Sequence, residues 1–292
     1  MKNIALHKID DVEPLIDNYE WRIEDVEKYR RRVKEKFRFL FFLYKSSLDF
    51  IRLNRYFKDN LELEKECFVL GLNTISEVSR LANYPGKEVE VNLETEVYKT
   101  VVEDLNVLNY NWLNSIYWAV IARDQKKMNT ICSFPLEILH LDNNTPNGMY
   151  HNILLKLEMK FYQEGIFDHY LDDKLTEIKE NYIDLVTPDP TAYENMTMVY
   201  CNDPVVSAMR NLANENEEEF NVSLIKALEA HQTYWGQKKS INPGDPPLCR
   251  NWQGFMSFSC TALAARAYDK GLQLEVTSDY MPANMVNGDI LE

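Results

Sequence analysis

The sequence is short of glycine and proline, with 9 and 11 in 292 residues, where average usage gives about 12% for the two together. A chain so poor in turn-formers argues against a many-stranded sandwich or barrel and favours long helices. Cysteine is also scarce. Cys67, Cys132, Cys201, Cys249 and Cys260 are odd in number, widely spaced and without a C-x-x-C, so neither a disulfide framework nor a zinc site is indicated and buried, reduced thiols are expected. Long apolar runs are missing: the stretch from Phe39 to Tyr44 is far too short to cross a bilayer, and no signal-like segment follows Met1. The expected location is the cytoplasm, with no membrane partner. Basic residues number 32 against 46 acidic, a formal charge of −14, which disfavours nonspecific attraction to nucleic acid.

What is present is a composition 45% hydrophobic and 12% aromatic, enough for a large core. Between Glu20 and Phe57, the residues Val33, Phe37, Leu40, Tyr44, Leu48 and Ile51 recur at steps of three and four with no Pro or Gly, the pattern of one long helix. Its basic cluster (Lys28, Arg30, Arg31, Arg32, Lys34, Lys36, Arg38) looks like a nucleic-acid handle. Glu24, Glu27 and Glu35 are interleaved, however, and Glu24/Lys28 and Glu27/Arg31 have the favourable i, i+4 order, so a solvated helix face is expected. Further helices are marked by Phe68 to Ala82, Leu113 to Ile121, Leu154 to Phe161 and Leu171 to Tyr182, with breaks at Asn83-Tyr84-Pro85-Gly86 and Pro188-Asp189-Pro190. Phe220, Leu224, Leu228, His231 and Trp235 form one stripe behind the acidic first turn Glu217, Glu218, Glu219. The last helix, about Gly254 to Lys270, carries Ser257, Ser259, Cys260, Ala262, Ala264, Ala265 and Ala267, small enough for close approach by neighbours, which predicts a central position. Val89 to Leu93 and Leu272 to Val276 alternate with period two and could pair with each other. The fold class is therefore mainly α: a multi-helix bundle of about ten helices in antiparallel pairs with one small two-stranded β element. It reads as a single domain, 1–292, divisible at the loop Asp142 to Gly148 into halves 1–145 and 146–292.

Catalytic fingerprints are absent: no G-x-G-x-x-G, no G-x-x-x-x-G-K-[ST], no H-E-x-x-H and no G-x-S-x-G. Glu137 and His140 have the i, i+3 spacing of a bundle metal site, but such sites need two motifs and further carboxylates. Asp168, His169, Asp172 and Asp173 could hold a divalent cation; the competing reading is that the acids charge the start of the helix that follows. His231 reads as a hydrogen-bonded core histidine and Cys260 as a packing thiol. No cofactor or metal is expected, and the protein is not expected to be an enzyme.

From Phe220 to Pro282 the chain resembles the immunity protein 49 family of bacterial polymorphic-toxin systems. The residues that carry the resemblance are Ala227-Leu228-Glu229-Ala230-His231-Gln232-Thr233-Tyr234-Trp235, a Pro-rich loop, Ala262-Leu263-Ala264-Ala265-Arg266-Ala267 running to Gly271-Leu272, and Ser278-Asp279-Tyr280-Met281-Pro282. A weaker likeness to helical immunity proteins of another type, which end in an aromatic-Pro motif, points to the same class. The resemblance implies a non-enzymatic cytoplasmic protein that binds and blocks a cognate toxin domain. Residues 1–60 hold 14 basic and 11 acidic residues, net +3, leaving −17 on residues 61–292. An acidic surface suits a toxin with a basic cleft, such as a nuclease. Asp168, Asp172, Asp173, Glu217, Glu218 and Glu219, each expected to be exposed at a helix start, are the candidate contacts, and Tyr280 to Pro282 is assigned to packing. The alternatives are a helical-repeat protein-binding scaffold, and a metalloprotein or enzyme built on Glu137/His140 or the Asp168/Asp172 cluster.

Overall fold

The computed structural model describes residues 1–58, 60–94, 96–103, 107–140, 145–181 and 196–291, with backbone only at 107–111, 138, 140, 147 and 196–198. In chain order the elements are β1 (Lys2–Ile4), α1 (Glu13–Arg32), α2 (Arg38–Phe57), α3 (Leu61–Leu81), β2 (Glu88–Leu93), β3 (Glu96–Val101), β4 (Val107–Leu108), α4 (Asn109–Ile121), α5 (Gln125–Cys132), β5 (Leu139–His140), α6 (Pro146–Met159), α7 (His169–Asn181), α8 (Met196–Ala213), α9 (Glu217–Trp235), α10 (Phe258–Asp269), β6 (Val276–Ser278) and α11 (Ala283–Val286). The protein is mainly helical, with small two-stranded sheets. It divides into two compact units: residues 11–140 with 290–292, and residues 1–10 with 141–289.

In the first of these, α1, α2 and α3 pack in succession. The single long helix expected between Glu20 and Phe57 is two, because the chain reverses at residues 33–37. No Pro or Gly marks the reversal; Val33 and Phe37 are themselves buried there, so the turn is fixed by core packing. Arg22 reaches both Asp25 (3.2 Å) and Asp49 (3.5 Å), joining α1 to α2 by charge. The buried Asn54 ends α2: its side-chain oxygen accepts from the Tyr19 hydroxyl (3.1 Å) and Asn60 N (3.2 Å), and Asn60 in turn caps α3 by accepting from Leu63 N (2.9 Å). From α4, Trp118 is fully buried with its ring 5.7 Å from Tyr44 and 5.5 Å from Phe68. Gly71 makes room for it; a Cβ there would stand 2.4 Å from the indole.

Five of the seven cations of the basic cluster are paired with acids. Arg30 pairs with Glu66 and, through two 3.0 Å bonds, with Glu94; Lys34 meets Glu96 (2.9 Å), Arg32 meets Glu35 (2.9 Å) and Arg38 grips Glu103 (2.7 and 3.0 Å). The pairs read from i, i+4 order are replaced: Lys28 goes to the nearly buried Asp25 (3.2 Å) and the Arg31 Nε donates to the Glu27 carbonyl (3.1 Å).

In the other unit, β1 pairs in parallel with β6, Lys2 opposite Val276 and Ile4 opposite Ser278. This corrects the expected pairing of Leu272–Val276 with Val89–Leu93; β2 instead forms an antiparallel hairpin with β3, turning at Glu94, whose φ is 54°. His7 completes the β1 junction. Its ring Nε2 lies 3.0 Å from the Cys249 carbonyl, its Nδ1 2.9 Å from the Tyr280 hydroxyl, and that hydroxyl accepts from His7 N (2.9 Å). A carbonyl only accepts, so the ring proton sits on Nε2 and Nδ1 accepts from Tyr280. Leu6 N donates to Asp279 (3.0 Å), and Gln232 of α9 donates to the Ala5 carbonyl (2.7 Å).

The small-residue helix α10 is central to this unit: Cys260, Ala262, Ala264, Ala265 and Ala267 are all buried, and it contacts α8, α9 and α11. Ser257 caps it and Gly271, at φ +80°, follows its end. Helix α8, which contains Pro204, had no counterpart in the sequence reading, and it packs closely on α9. Tyr182, the break at Pro188-Asp189-Pro190 and the start of the 142–148 loop lie outside the described residues.

Three outcomes follow. Gly71→Ala forces a methyl into the Trp118 ring and costs about 1–3 kcal/mol in urea denaturation. Tyr280→Phe leaves the His7 N–H and Nδ1 without their partner and costs about 1–3 kcal/mol by the same measurement. Burial lowers the pKa of His7, and that of His151 to about 4. The unfolded chain binds protons near pH 6.5 that these rings refuse when folded, so their stabilisation is complete above pH 6.5 and declines below it. The urea midpoint is therefore lower at pH 5 than at pH 7.

Candidate functional site

The backbone separates the proposed metal pair. Glu137 stands exposed in a short 3-10 turn (Leu136–Ile138) and His140 follows in β5, so the two do not share a helix face; the His140 side chain lies outside the described residues. Among the described residues, no three His, Cys, Asp or Glu side chains are grouped as a metal ion requires. His231 Nε2 lies 2.9 Å from the Gly254 carbonyl and its ring meets Tyr280 edge-on at 4.9 Å, the arrangement of a core histidine. Burial pushes the Cys260 thiol up to about 11, the opposite of what a nucleophile needs.

Of the acids around α7, Asp168 and Asp172 are engaged in structural bonds. Asp168 accepts from Leu171 N (3.2 Å) and from the Lys160 ammonium (2.5 Å), and these bonds hold its carboxyl below the usual range. Asp172, expected to be exposed, is 7% exposed and forms a two-bond ion pair with Arg210 (2.8 and 2.7 Å) that ties α7 to α8. Its partner lies 38 residues away, beyond the reach of any local pattern. Asp173, on the next step round α7, is exposed.

At the start of α9, Glu217, Glu218 and Glu219 are exposed. Asn216 caps the helix by accepting from Glu219 N (3.2 Å), and Glu217 also accepts from Gln273 N (3.1 Å). Glu218 and Glu219 make no ion pair among the described residues, so the turn presents fixed negative charge to solvent.

A second acidic face was not singled out from the sequence. Glu13, Asp17, Glu20, Glu24 and Glu27, at alternating steps of four and three, lie exposed along one side of α1. Trp21 interrupts them, 53% exposed, with the Arg22 guanidinium 5.0 Å from its ring centre. The signal was in the sequence, but the neighbouring cations appeared there to balance these acids, whereas in the structure those cations are drawn to other partners.

The segment Ser278 to Pro282 builds structure: Tyr280 is fully buried against His7 and His231, and Met281 is buried. No described helix is long and apolar enough to cross a membrane. No curated protein and no solved structure matches the chain. The family model described as Immunity protein 49 matches residues 53–285. That stretch runs from α2 to α11 and includes the Tyr280 motif, and on this match the chain belongs to the immunity protein 49 family.

Proposed function

We propose that this protein protects the bacterial cell that makes it by binding a cognate toxin domain in the cytoplasm and blocking it without catalysis. Family membership is the observation that carries the reading. The proposed toxin has a basic surface, as nucleic-acid-cutting enzymes do, and the charge of −14 supports that choice by favouring encounter with a cation-lined cleft. The proposed contacts are Asp173, Glu217, Glu218 and Glu219, whose carboxylates face solvent. Asp168 and Asp172, engaged by Lys160 and Arg210, hold α7 in place for Asp173. The acidic face of α1 is a second reading, favoured by exposed Trp21, because tryptophan is enriched where binding energy concentrates.

Co-expression with the toxin domain encoded beside the gene tests the function: wild-type protein restores growth and co-purifies with the toxin, and the absence of both protection and complex refutes the proposal. Reversal of Glu217, Glu218 and Glu219 to lysine is expected to slow association by about tenfold at low salt with the circular dichroism unchanged. If only Glu20→Lys with Trp21→Ala has that effect, the contact lies on α1.

A further inference from the structure

The hairpin of β2 and β3 has one edge occupied and one edge free. Asn92 N donates to the Glu77 carboxylate (2.9 Å) and the Glu90 carbonyl accepts from Arg80 (2.8 Å), so the even-numbered residues of β2 turn their backbone groups toward α3. The odd-numbered ones therefore bond to β3. In the register Glu88 opposite Val101 through Leu93 opposite Glu96, residues 96, 98 and 100 face β2, while Val97, Lys99 and Val101 aim their N–H and C=O groups outward. Among the described residues these outward groups have no hydrogen-bond partner. Their side chains are open to solvent as well: Val97 is 61% and Val101 51% exposed, and the Lys99 side chain 69%. Unpaired backbone groups flanked by exposed valines form a template for another strand.

We propose that this edge takes up one extended strand of the toxin domain, making the hairpin three-stranded. The inference rests on the toxin-binding reading above and adds the mode of recognition. Lys99 argues against a second copy of this chain as the occupant, since antiparallel self-pairing about residue 99 sets lysine opposite lysine, and a lysine amid an edge is a common guard against such pairing. The complementary strand is foreign: opposite Val97, Lys99 and Val101 it carries apolar, acidic and apolar residues in turn. The acid completes a cross-strand pair for Lys99, whose nearest carboxylate among the described residues, Glu88, is 4.0 Å away.

Hydrogen exchange on the full-length protein, alone and with the toxin domain encoded beside it, tests the proposal. The amides of Val97, Lys99 and Val101 exchange rapidly in the free protein and are slowed by at least about tenfold in the complex. Lys99→Pro deletes one outward N–H without breaking a bond between β2 and β3; it is expected to weaken toxin binding by at least about 50-fold, and Lys99→Ala by no more than about fivefold. If Lys99→Pro does not fold, exchange in the wild-type complex decides. A complex in which the three amides still exchange freely, or which Lys99→Pro forms as tightly as wild type, overturns strand addition and leaves the immunity function standing. Protection that rises with concentration in the free protein assigns the edge to a second copy and overturns it too. If the wild type forms no complex, the immunity reading falls and this proposal with it.

Discussion

The structure depends on how its beginning is tied to its end. Residues 1–10 belong with residues 141–289, so one compact unit is discontinuous in sequence and residues 11–140 form an insertion within it. The closing contact is small: three parallel pairs between β1 and β6, then His7 set between the Tyr280 hydroxyl and the Cys249 carbonyl. Closing a loop of such length costs entropy, although the cost grows only slowly with length. The contact offsets that cost by giving partners to the N–H and both ring nitrogens of the buried His7 and by resting Tyr280 in the core. Tyr280 thus has two tasks: it fills the core beneath His231 and it presents the hydroxyl that orders the N-terminus.

Charge in this protein divides into a structural portion and a presented portion. Near the α1–α2 turn, Arg30, Arg32, Lys34 and Arg38 are spent on Glu35, Glu66, Glu94, Glu96 and Glu103, and the Asp172–Arg210 pair fastens α7 to α8. Exposed pairs of this kind contribute little stability singly; they matter here because they fix which charges remain uncompensated. Among the described residues, the acids left unpaired include Glu218 and Glu219 on α9 and the carboxylate line along α1. Part of the net charge of −14 is therefore displayed as discrete acidic faces, the form in which it can steer an oppositely charged partner.

Helices with a strong signal of their own were legible in the sequence: α9 by its apolar stripe behind an acidic first turn, and α10 by its run of small residues, although α10 starts at Phe258 rather than near Gly254, after a separate short turn (Trp252–Phe255). The reversal at residues 33–37 was not, because no turn-former marks it and the apolar spacing runs straight through it. Pro204 concealed α8, since proline in a helix interior normally breaks it. The β1–β6 pairing joins segments of three residues from opposite ends of the chain, too short to carry a period and too distant for any local rule. At the candidate site the same limit applied. Asp172 looked like its neighbour Asp173, and only Arg210, packed against it from α8, distinguishes a buried anchor from a surface charge.

If the protein acts by binding alone, inhibition must be stoichiometric. The direct measurement is a titration of the cognate toxin domain's activity with increasing amounts of the purified protein. Occupancy without turnover predicts a linear fall to an end point at a fixed whole-number ratio, with full activity recovered when the complex is dissociated and the two proteins are separated. Loss of toxin activity at a small fraction of an equivalent, or a toxin that stays inactive after separation, would contradict the account.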